Sequence, residues 1–172
     1  MTRELMVLRH GKSDWNTGAA RDFDRPLNKR GRKAVKRMGA WILERDLLPD
    51  RIVSSPATRA RETALRLCRS AGLPESVIAW DERIYEAELG DLLSVLRECA
   101  VDSLRLMIVG HNPGLEELVL YLSDQTIEAP GEHPLMPTAA LALFEVPDDW
   151  SELEGNSARL VGITRPRELK AS

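Results

Sequence analysis

The sequence predicts an α/β protein: a three-layer α/β/α sandwich around a mostly parallel sheet of about six strands. Short apolar runs of strand length alternate with longer segments of helical periodicity, and this alternation is typical of domains built from strand–helix units. Several of the short runs are apolar at successive positions, which indicates strands covered by helices on both faces. With 172 residues, 43% of them hydrophobic, the chain can form one domain with one sizeable core.

The individual elements follow from the same pattern. We predict strands at 5–8, 52–53, 77–80, 106–109, 139–144 and 158–163, and helices at 28–47, 57–71 and 91–100, with a fourth helix starting at Pro113. Asn28 is a suitable N-cap, and proline suits a first helical turn. No helical pattern separates the last two strands, so a hairpin-like connection and an antiparallel edge are expected. We predict a single domain over 1–166 and a polar tail over 167–172.

Composition and charge exclude several classes of protein. The net charge of −3 gives no overall basic field for nucleic acid, and the four tryptophans are too scattered to form a stacking platform. No run approaches the ~18 apolar residues of a membrane span, and the N-terminus does not resemble a signal peptide. Cys68 and Cys99 are interpreted as reduced core residues, not as a disulfide. We therefore expect a cytoplasmic protein without nucleic-acid or membrane partners.

Chemically active residues follow the predicted strands. Arg9 and His10 end the first strand, His111 follows the fourth, and Arg59 lies in the stretch after the second. In an open α/β sheet, ligands bind at the carboxyl ends of the strands. Arginine binds phosphate oxygens, neutral histidine is a competent nucleophile, and a carboxylic acid can protonate a leaving group. Together these residues indicate phosphoryl transfer to a histidine.

Three motifs also carry a family resemblance. R-H-G at 9–11, S-P-x-x-R-x-x-E-T at 55–63 and G-H-N-P at 110–113 occur in this order. They resemble the signatures of the histidine phosphatase superfamily, which implies the phosphoglycerate mutase-like fold. The short chain and the stretches D-F-D-R-P-L-N-K-R-G, Y-E-A and G-H-N-P-G-L-E-E-L are similar to the compact SixA-type branch. That branch implies phosphohistidine phosphatase activity.

The resemblance also implies residue roles. His10 would be the nucleophile, Arg9 and Arg59 would bind the phosphoryl oxygens, and His111 would stabilise their negative charge. Asn16 and Ser13 match phosphate-binding and hydroxyl positions of the first motif. Glu86 is the candidate general acid, with Glu82 and Glu88 nearby as rivals, and Thr138 is expected to line the pocket. The resemblance implies neither a metal nor a cofactor.

Several alternatives remain open at this point. The substrate would be phosphohistidine on a protein or a small phosphorylated molecule; a phosphoglycerate mutase-like enzyme and a non-catalytic phosphoryl-binding module are the rival functions. Each site residue also has a purely structural interpretation. For Glu86, the role of an ordinary surface carboxylate fits the sequence as well as the role of general acid does. His133 is interpreted as a loop residue. The basic run at 29–33, extended by Lys36 and Arg37, is either a solvated helix face or a docking surface for an acidic protein.

Overall fold

The fold contains six strands and four α-helices. The computed structural model describes residues 2–16, 18–128, 131 and 133–169. The strands are β1 (Arg3–Arg9), β2 (Arg51–Ser54), β3 (Ile78–Trp80), β4 (Arg105–Gly110), β5 (Leu141–Val146) and β6 (Arg159–Thr164), and the helices are α1 (Lys29–Glu44), α2 (Thr58–Ala71), α3 (Leu89–Arg97) and α4 (Gly114–Leu122). Every predicted element is present, with ends shifted by at most three residues.

The sheet is mixed, with strand order β3-β2-β4-β1-β5-β6. The first four strands are parallel, whereas β5 runs antiparallel to both β1 and β6. The predicted mostly parallel sheet and its antiparallel edge are therefore confirmed. In the register of β1 and β4, Arg9 pairs with Gly110, so the next residue of each strand, His10 and His111, emerges at the same level.

The core has two halves, one on each face of the sheet. Strand β1 lies at the centre, and Leu5, Met6, Val7 and Leu8 are fully buried. Met6 and Leu8 pack with α1 and α2, whereas Leu5 and Val7 pack with α3 and α4. Burying each such side chain contributes about 1.5–3 kcal/mol. The strand that carries Arg9 and His10 is thus fixed from both sides.

Helix ends differ from the predictions for local reasons. The Asn28 side chain caps α1 by accepting from the Gly31 N–H at 2.8 Å, as expected. Helix α1 stops at Glu44 because Asp46 adopts a left-handed backbone with φ of 57°. Helix α3 starts earlier than predicted because Glu88 and Asp91 form a reciprocal capping box.

The C-terminal segment contacts the domain as far as it is described. Residues Pro166–Glu168 form a short 3-10 turn against α1, and Leu169 packs on the core beneath α1 and α2. The predicted polar tail thus includes one residue of the packed structure, and its positions 170–172 lie outside the described residues.

The cysteines and the helices also bear on the expectations from the sequence. Cys68 is buried, Cys99 is half-buried, and both are free thiols. Among the helices that the structure describes, none has both the length and the apolar character needed to cross a membrane.

Candidate active site

Two adjoining cavities lie at the carboxyl ends of β1, β2 and β4. The first, of about 450 Å³, brings together most of the predicted site residues: Arg9, His10, Ser13, Arg59, His111 and Thr138. The second, of about 390 Å³, shares Arg59 and His111 with the first and adds Glu86. Asn16 is exposed and lines neither cavity, so its phosphate contact stays a prediction.

Hydrogen bonds fix the protonation state of His10. Its Nδ1 lies 2.6 Å from the carbonyl oxygen of Gly11, which can only accept, so Nδ1 carries the proton. Its Nε2 lies 3.4 Å from Nε of Arg59, which can only donate, so Nε2 carries the lone pair. The side chain is 7% exposed and lines the cavity. His10 is therefore a neutral imidazole with a nucleophilic Nε2 on the side of Arg59.

The backbone that holds His10 is tied to α2. The Gly11 N–H donates to Oγ1 of Thr63 at 2.9 Å, and the Thr63 hydroxyl donates to the Arg59 carbonyl at 2.7 Å. Thr63 is fully buried. A Cβ at Gly11 would come within 2.9 Å of the Val35 side chain, so glycine permits the close approach of α1. The motif residue Thr63 thus connects the nucleophile to the helix that carries Arg59.

Asp22 anchors the cationic side of the cavity. Its Oδ2 accepts from Nη2 of Arg59 at 3.1 Å and from the Tyr85 hydroxyl at 2.7 Å, and its Oδ1 accepts from Nε of Arg25 at 3.0 Å. Arg25 in turn donates to the Ser13 hydroxyl at 2.7 Å. The side chain of Arg59 is 7% exposed and that of Arg25 is 10% exposed, whereas that of Asp22 is 36% exposed. Asp22 therefore holds two nearly buried arginines in place.

Unpaired polar atoms mark the remaining wall. Among the described residues, Nε of Arg9, Nδ1 of His111 and Oδ1 of Asn112 are buried without a hydrogen-bond partner. Arg9 and Asn112 are oriented by donating to the Met136 carbonyl at 3.0 Å and 2.9 Å. His111 Nε2 lies 2.8 Å from the Ser55 hydroxyl. Because buried polar groups are normally paired, this cluster indicates a site built for a polar ligand.

Both histidines are neutral over the physiological range. Burial, and then the nearby positive charges, lower the pKa of His10 to about 3, against the opposing effect of its bond to Gly11. Burial and the charge of Arg59 lower the pKa of His111 to about 3. Hydrogen bonds from Tyr85 and Arg25 and the charge of Arg59 outweigh partial burial and lower the pKa of Asp22 to about 2. At neutral pH the cavity therefore combines neutral imidazoles, arginine cations and one carboxylate.

Glu86 is the only one of the three candidate acids that lines a cavity in the described structure. It is exposed, has a φ of 54°, and belongs to the second cavity beside Tyr85 and His111. A left-handed backbone is uncommon for glutamate, and such strain concentrates at functional sites. Glu82 and Glu88 are exposed on neighbouring turns and line neither cavity. Placement thus favours Glu86 over its two rivals.

Sequence reasoning did not single out Asp22, Tyr85 or Asn112. Asp22 and Tyr85 lie in loops, where no periodicity points inward, and their contact spans 63 positions of the chain. Their only signal is membership of the D-F-D-R and Y-E-A stretches noted for the family resemblance. Asn112 stands directly after His111 within G-H-N-P, so its position beside the site could have been inferred.

Comparison with known proteins identifies the family. The model of the histidine phosphatase superfamily (branch 1) matches residues 5–102, more than half of the chain. An uncharacterized protein of Mycobacterium tuberculosis (strain H37Rv) is 31% identical over 164 residues, covering 93% of this chain and 100% of that protein. The glucosyl-3-phosphoglycerate phosphatase of the same organism is 36% identical over 91 residues, 52% of this chain and 39% of that protein.

Solved structures agree in fold. The protein histidine phosphatase SixA, solved with tungstate, is 24% identical with a TM-score of 0.79 and covers 97% of this chain and 99% of its own. A protein from Agrobacterium tumefaciens, provisionally assigned as the phosphohistidine phosphatase SixA, is 27% identical with a TM-score of 0.75. The match covers 96% of this chain and 99% of that protein. The chain belongs to the histidine phosphatase superfamily, branch 1, and is a phosphatase.

Proposed function

We propose that the protein is a phosphohistidine phosphatase that works through a phosphohistidine on His10 and needs no metal or cofactor. The observation that carries this proposal is the fixed tautomer of His10. Its Nδ1–H is held by Gly11, and its Nε2 lone pair lies beside Arg59 at the cavity wall. An uncharged imidazole presented in this way is ready to attack phosphorus without a prior proton transfer.

In the first step, Nε2 of His10 attacks the phosphorus atom of the substrate. An N–P bond to His10 forms as the P–N bond of the substrate phosphohistidine breaks, and the leaving imidazole nitrogen takes up a proton. Arg9 and Arg59 bind the phosphoryl oxygens, since guanidinium groups match their geometry and charge. The unpaired Nδ1 of His111 donates to a third oxygen, with the Ser55 hydroxyl satisfying Nε2 of that ring.

In the second step, water attacks the phosphorus of phosphorylated His10. The P–N bond to His10 breaks, its electron pair returns to Nε2, and inorganic phosphate leaves. The bond from His10 Nδ1 to Gly11 supports this cycle because it stabilises the positive charge that the phosphorylated ring carries. His10 ends the cycle in the same neutral tautomer in which it began.

Glu86 is the group we assign to protonation of the leaving nitrogen. It lines the cavity that opens beside His111 and Arg59, on the side from which a leaving group can depart. Asp22 is unsuited to this role because both of its carboxylate oxygens already accept hydrogen bonds, from Arg59, Tyr85 and Arg25. The first motif suggests Ser13 and Asn16 as further phosphate ligands. Both belong to the loop after β1, and Arg25 connects this loop to Asp22 by donating to both Ser13 and Asp22.

A protein-borne substrate fits the surroundings of the site. Residues 72–102 form a short strand, 3-10 turns and α3, and α3 packs Leu92 and Leu96 into the core instead of covering the cavity. A mutase must keep water from its phosphoenzyme until the second transfer, and α3, the α-helix of this segment, lines neither cavity. The phosphoryl group of a folded partner would therefore reach His10. A cytoplasmic location and the absence of nucleic-acid and membrane partners stay predictions.

A small-molecule phosphomonoesterase is the second candidate. It is favoured by the similarity of half of this chain to a glucosyl-3-phosphoglycerate phosphatase. A screen of phosphorylated metabolites against phosphohistidine peptides separates the two. A strong preference for one sugar or glycerate phosphate would replace the first proposal by the second. Tight phosphate binding without any turnover would instead support a non-catalytic binding module.

The central test is phosphate release from a phosphohistidine-bearing protein. We expect His10→Ala to lower the rate by a factor of about 10³ or more, since it removes the nucleophile. His133→Ala is the matched control, because His133 is an exposed loop residue away from both cavities. Rapid quenching and mass spectrometry should find the phosphoryl group on His10 in the wild type. Equal rates for His10→Ala and wild type would refute the mechanism.

A further inference from the structure

A strongly basic groove adjoins the candidate active site. It has a volume of about 500 Å³ and shares Lys12 and Thr138 with the first cavity. Six cations line it, contributed by the loop after β1, by α1 and by the segment after β6: Lys12, Arg30, Lys33, Arg37, Arg165 and Arg167. No carboxylate is part of the described lining. Another depression on α1 and α2, of about 490 Å³, is lined by six cations as well, but it shares no residue with either active-site cavity.

Most of these cations lack a partner of opposite charge. In the described part of the chain, Arg165 has an ion pair with Glu168 at 3.5 Å, and the other five have none within 4.0 Å. Arg30, Lys33 and Arg37 are spaced three and four residues apart, so they share one face of α1. Like charges at this spacing destabilise a helix. The groove thus assembles charges that the fold itself does not neutralise.

The start of α1 adds to the positive potential. A helix favours acidic residues in its first turn because its N-terminus carries partial positive charge, yet the first turn of α1 has none and begins with Lys29 and Arg30. A Cβ at Gly31 would lie 2.2 Å from the Lys12 carbonyl oxygen, so glycine allows α1 to pack directly on the Lys12 backbone. The fold therefore brings Lys12 to the positive end of a basic helix.

Arg165 supplies an independent sign of a ligand. Its side chain is 16% exposed, and its Nε is buried without a hydrogen-bond partner. The four buried unpaired side-chain atoms in the described chain are this Nε and those of Arg9, His111 and Asn112. All four residues line the groove or the cavity next to it. Unpaired buried polar atoms are costly and mark places where a ligand completes the hydrogen bonding.

We propose that this groove binds an acidic segment of the protein substrate, next to its phosphoryl group. The inference rests on the proposed function for the identity of the substrate, but the binding itself does not depend on turnover. From Arg30 to Arg37 the basic face extends about 10 Å along α1, enough for about three extended residues. A run of aspartate or glutamate side chains would pair with the free cations while the phosphoryl group enters the cavity at Lys12.

A peptide fits the groove better than a nucleic acid does. The described lining contains no aromatic side chain, whereas single-stranded nucleic acids bind through stacking of bases on aromatic rings. The charges lie on one helix face and two short loops, which suits a short segment. The groove also meets the cavity that holds His10, so both parts of one polypeptide substrate can be bound together.

The test measures binding to the full-length protein by fluorescence anisotropy. Two short labelled peptides without phosphate are compared, one of alternating glutamate and glycine and one of alternating glutamine and glycine. We expect the acidic peptide to bind and the neutral one not to bind at low salt. The double variant Arg30→Gln/Arg37→Gln should weaken binding by up to about twenty-five-fold, because each exposed ion pair contributes at most a factor of about five. Raising the salt should weaken binding as well.

The matched control removes two arginines from the opposite end of the sheet. Arg51→Gln/Arg159→Gln also removes two positive charges. Arg51 begins β2 and Arg159 begins β6, so both lie far from the groove, and the affinity should stay unchanged. Equal loss in both double variants would show a general charge effect and overturn the proposal. Tighter binding of a labelled single-stranded oligonucleotide than of the acidic peptide would also overturn it. Failure to hydrolyse phosphohistidine would refute the proposed function and leave this result standing.

Discussion

The replacement Thr63→Val tests the link between the nucleophile and α2. Valine keeps the shape of threonine but removes the hydroxyl that accepts from Gly11 at 2.9 Å and donates to Arg59 at 2.7 Å. The site is fully buried, so no water replaces the lost acceptor. A buried unsatisfied N–H costs about 1–3 kcal/mol, and we expect the free energy of unfolding to fall by that amount.

Urea unfolding measures this loss, and Thr63→Ser is the control. Serine keeps the hydroxyl and removes one buried methyl group, which costs about 0.5–1.5 kcal/mol. Valine should also lower kcat by about 10–100-fold, because a small displacement of Gly11 moves the imidazole that it orients. Serine should retain most of the activity. A valine variant with the stability and kcat of the wild type would show that Thr63 does not hold the site.

Two further predictions concern charge at the site. Because the pKa values of His10 and His111 are about 3, kcat/KM should have no acid limb near pH 6.5. The unfolded chain takes up these two protons as the pH falls below about 6.5, whereas the folded protein does not. The free energy of unfolding should therefore fall by roughly 3 kcal/mol per pH unit between about pH 5.5 and 4. A flat stability profile in this range would contradict both pKa values. Asp22→Asn removes a negative charge that repels an anion in the cavity, so the variant should bind tungstate about fivefold more tightly. The expected change is small because Asp22 is partly exposed and solvent screens its charge. Calorimetry that finds weaker or unchanged binding would refute this prediction, and would show that the loss of the contacts to Arg59 and Arg25 outweighs the gain from removing the negative charge.

Much of the fold was predictable because it follows from apolar periodicity. The run at 5–8 is buried on both faces, and its position at the centre of the sheet agrees with that pattern. The missing helix between the last two strands correctly indicated the antiparallel edge. The ends of α1 and α3 were less predictable, since they depend on the backbone of Asp46 and on the capping box of Glu88 and Asp91.

The candidate site was predictable where strands carry it and not where loops do. Arg9, His10 and His111 follow two neighbouring parallel strands, so sheet geometry alone brings them together. The loop after β1 is different, because its conformation depends on long-range polar contacts. Ser13 is held by Arg25, and Asn16 in the same loop is exposed outside the cavities. A short motif match therefore located the strand residues well and the loop residues less well.

The pairing of β1 with β4 has a consequence for how this enzyme can change. The imidazole centroids of His10 and His111 are 5.1 Å apart, close to the spacing of about 4.8 Å between adjacent strands. The separation of the two histidines is thus a property of the sheet, which Met6 and Leu8 fix from one side and Leu5 and Val7 from the other. The surrounding loops and the basic face of α1 can be exchanged without altering that distance. Under the proposed docking of an acidic protein segment on α1, a chimera with another α1 surface should keep the reaction while accepting a different protein.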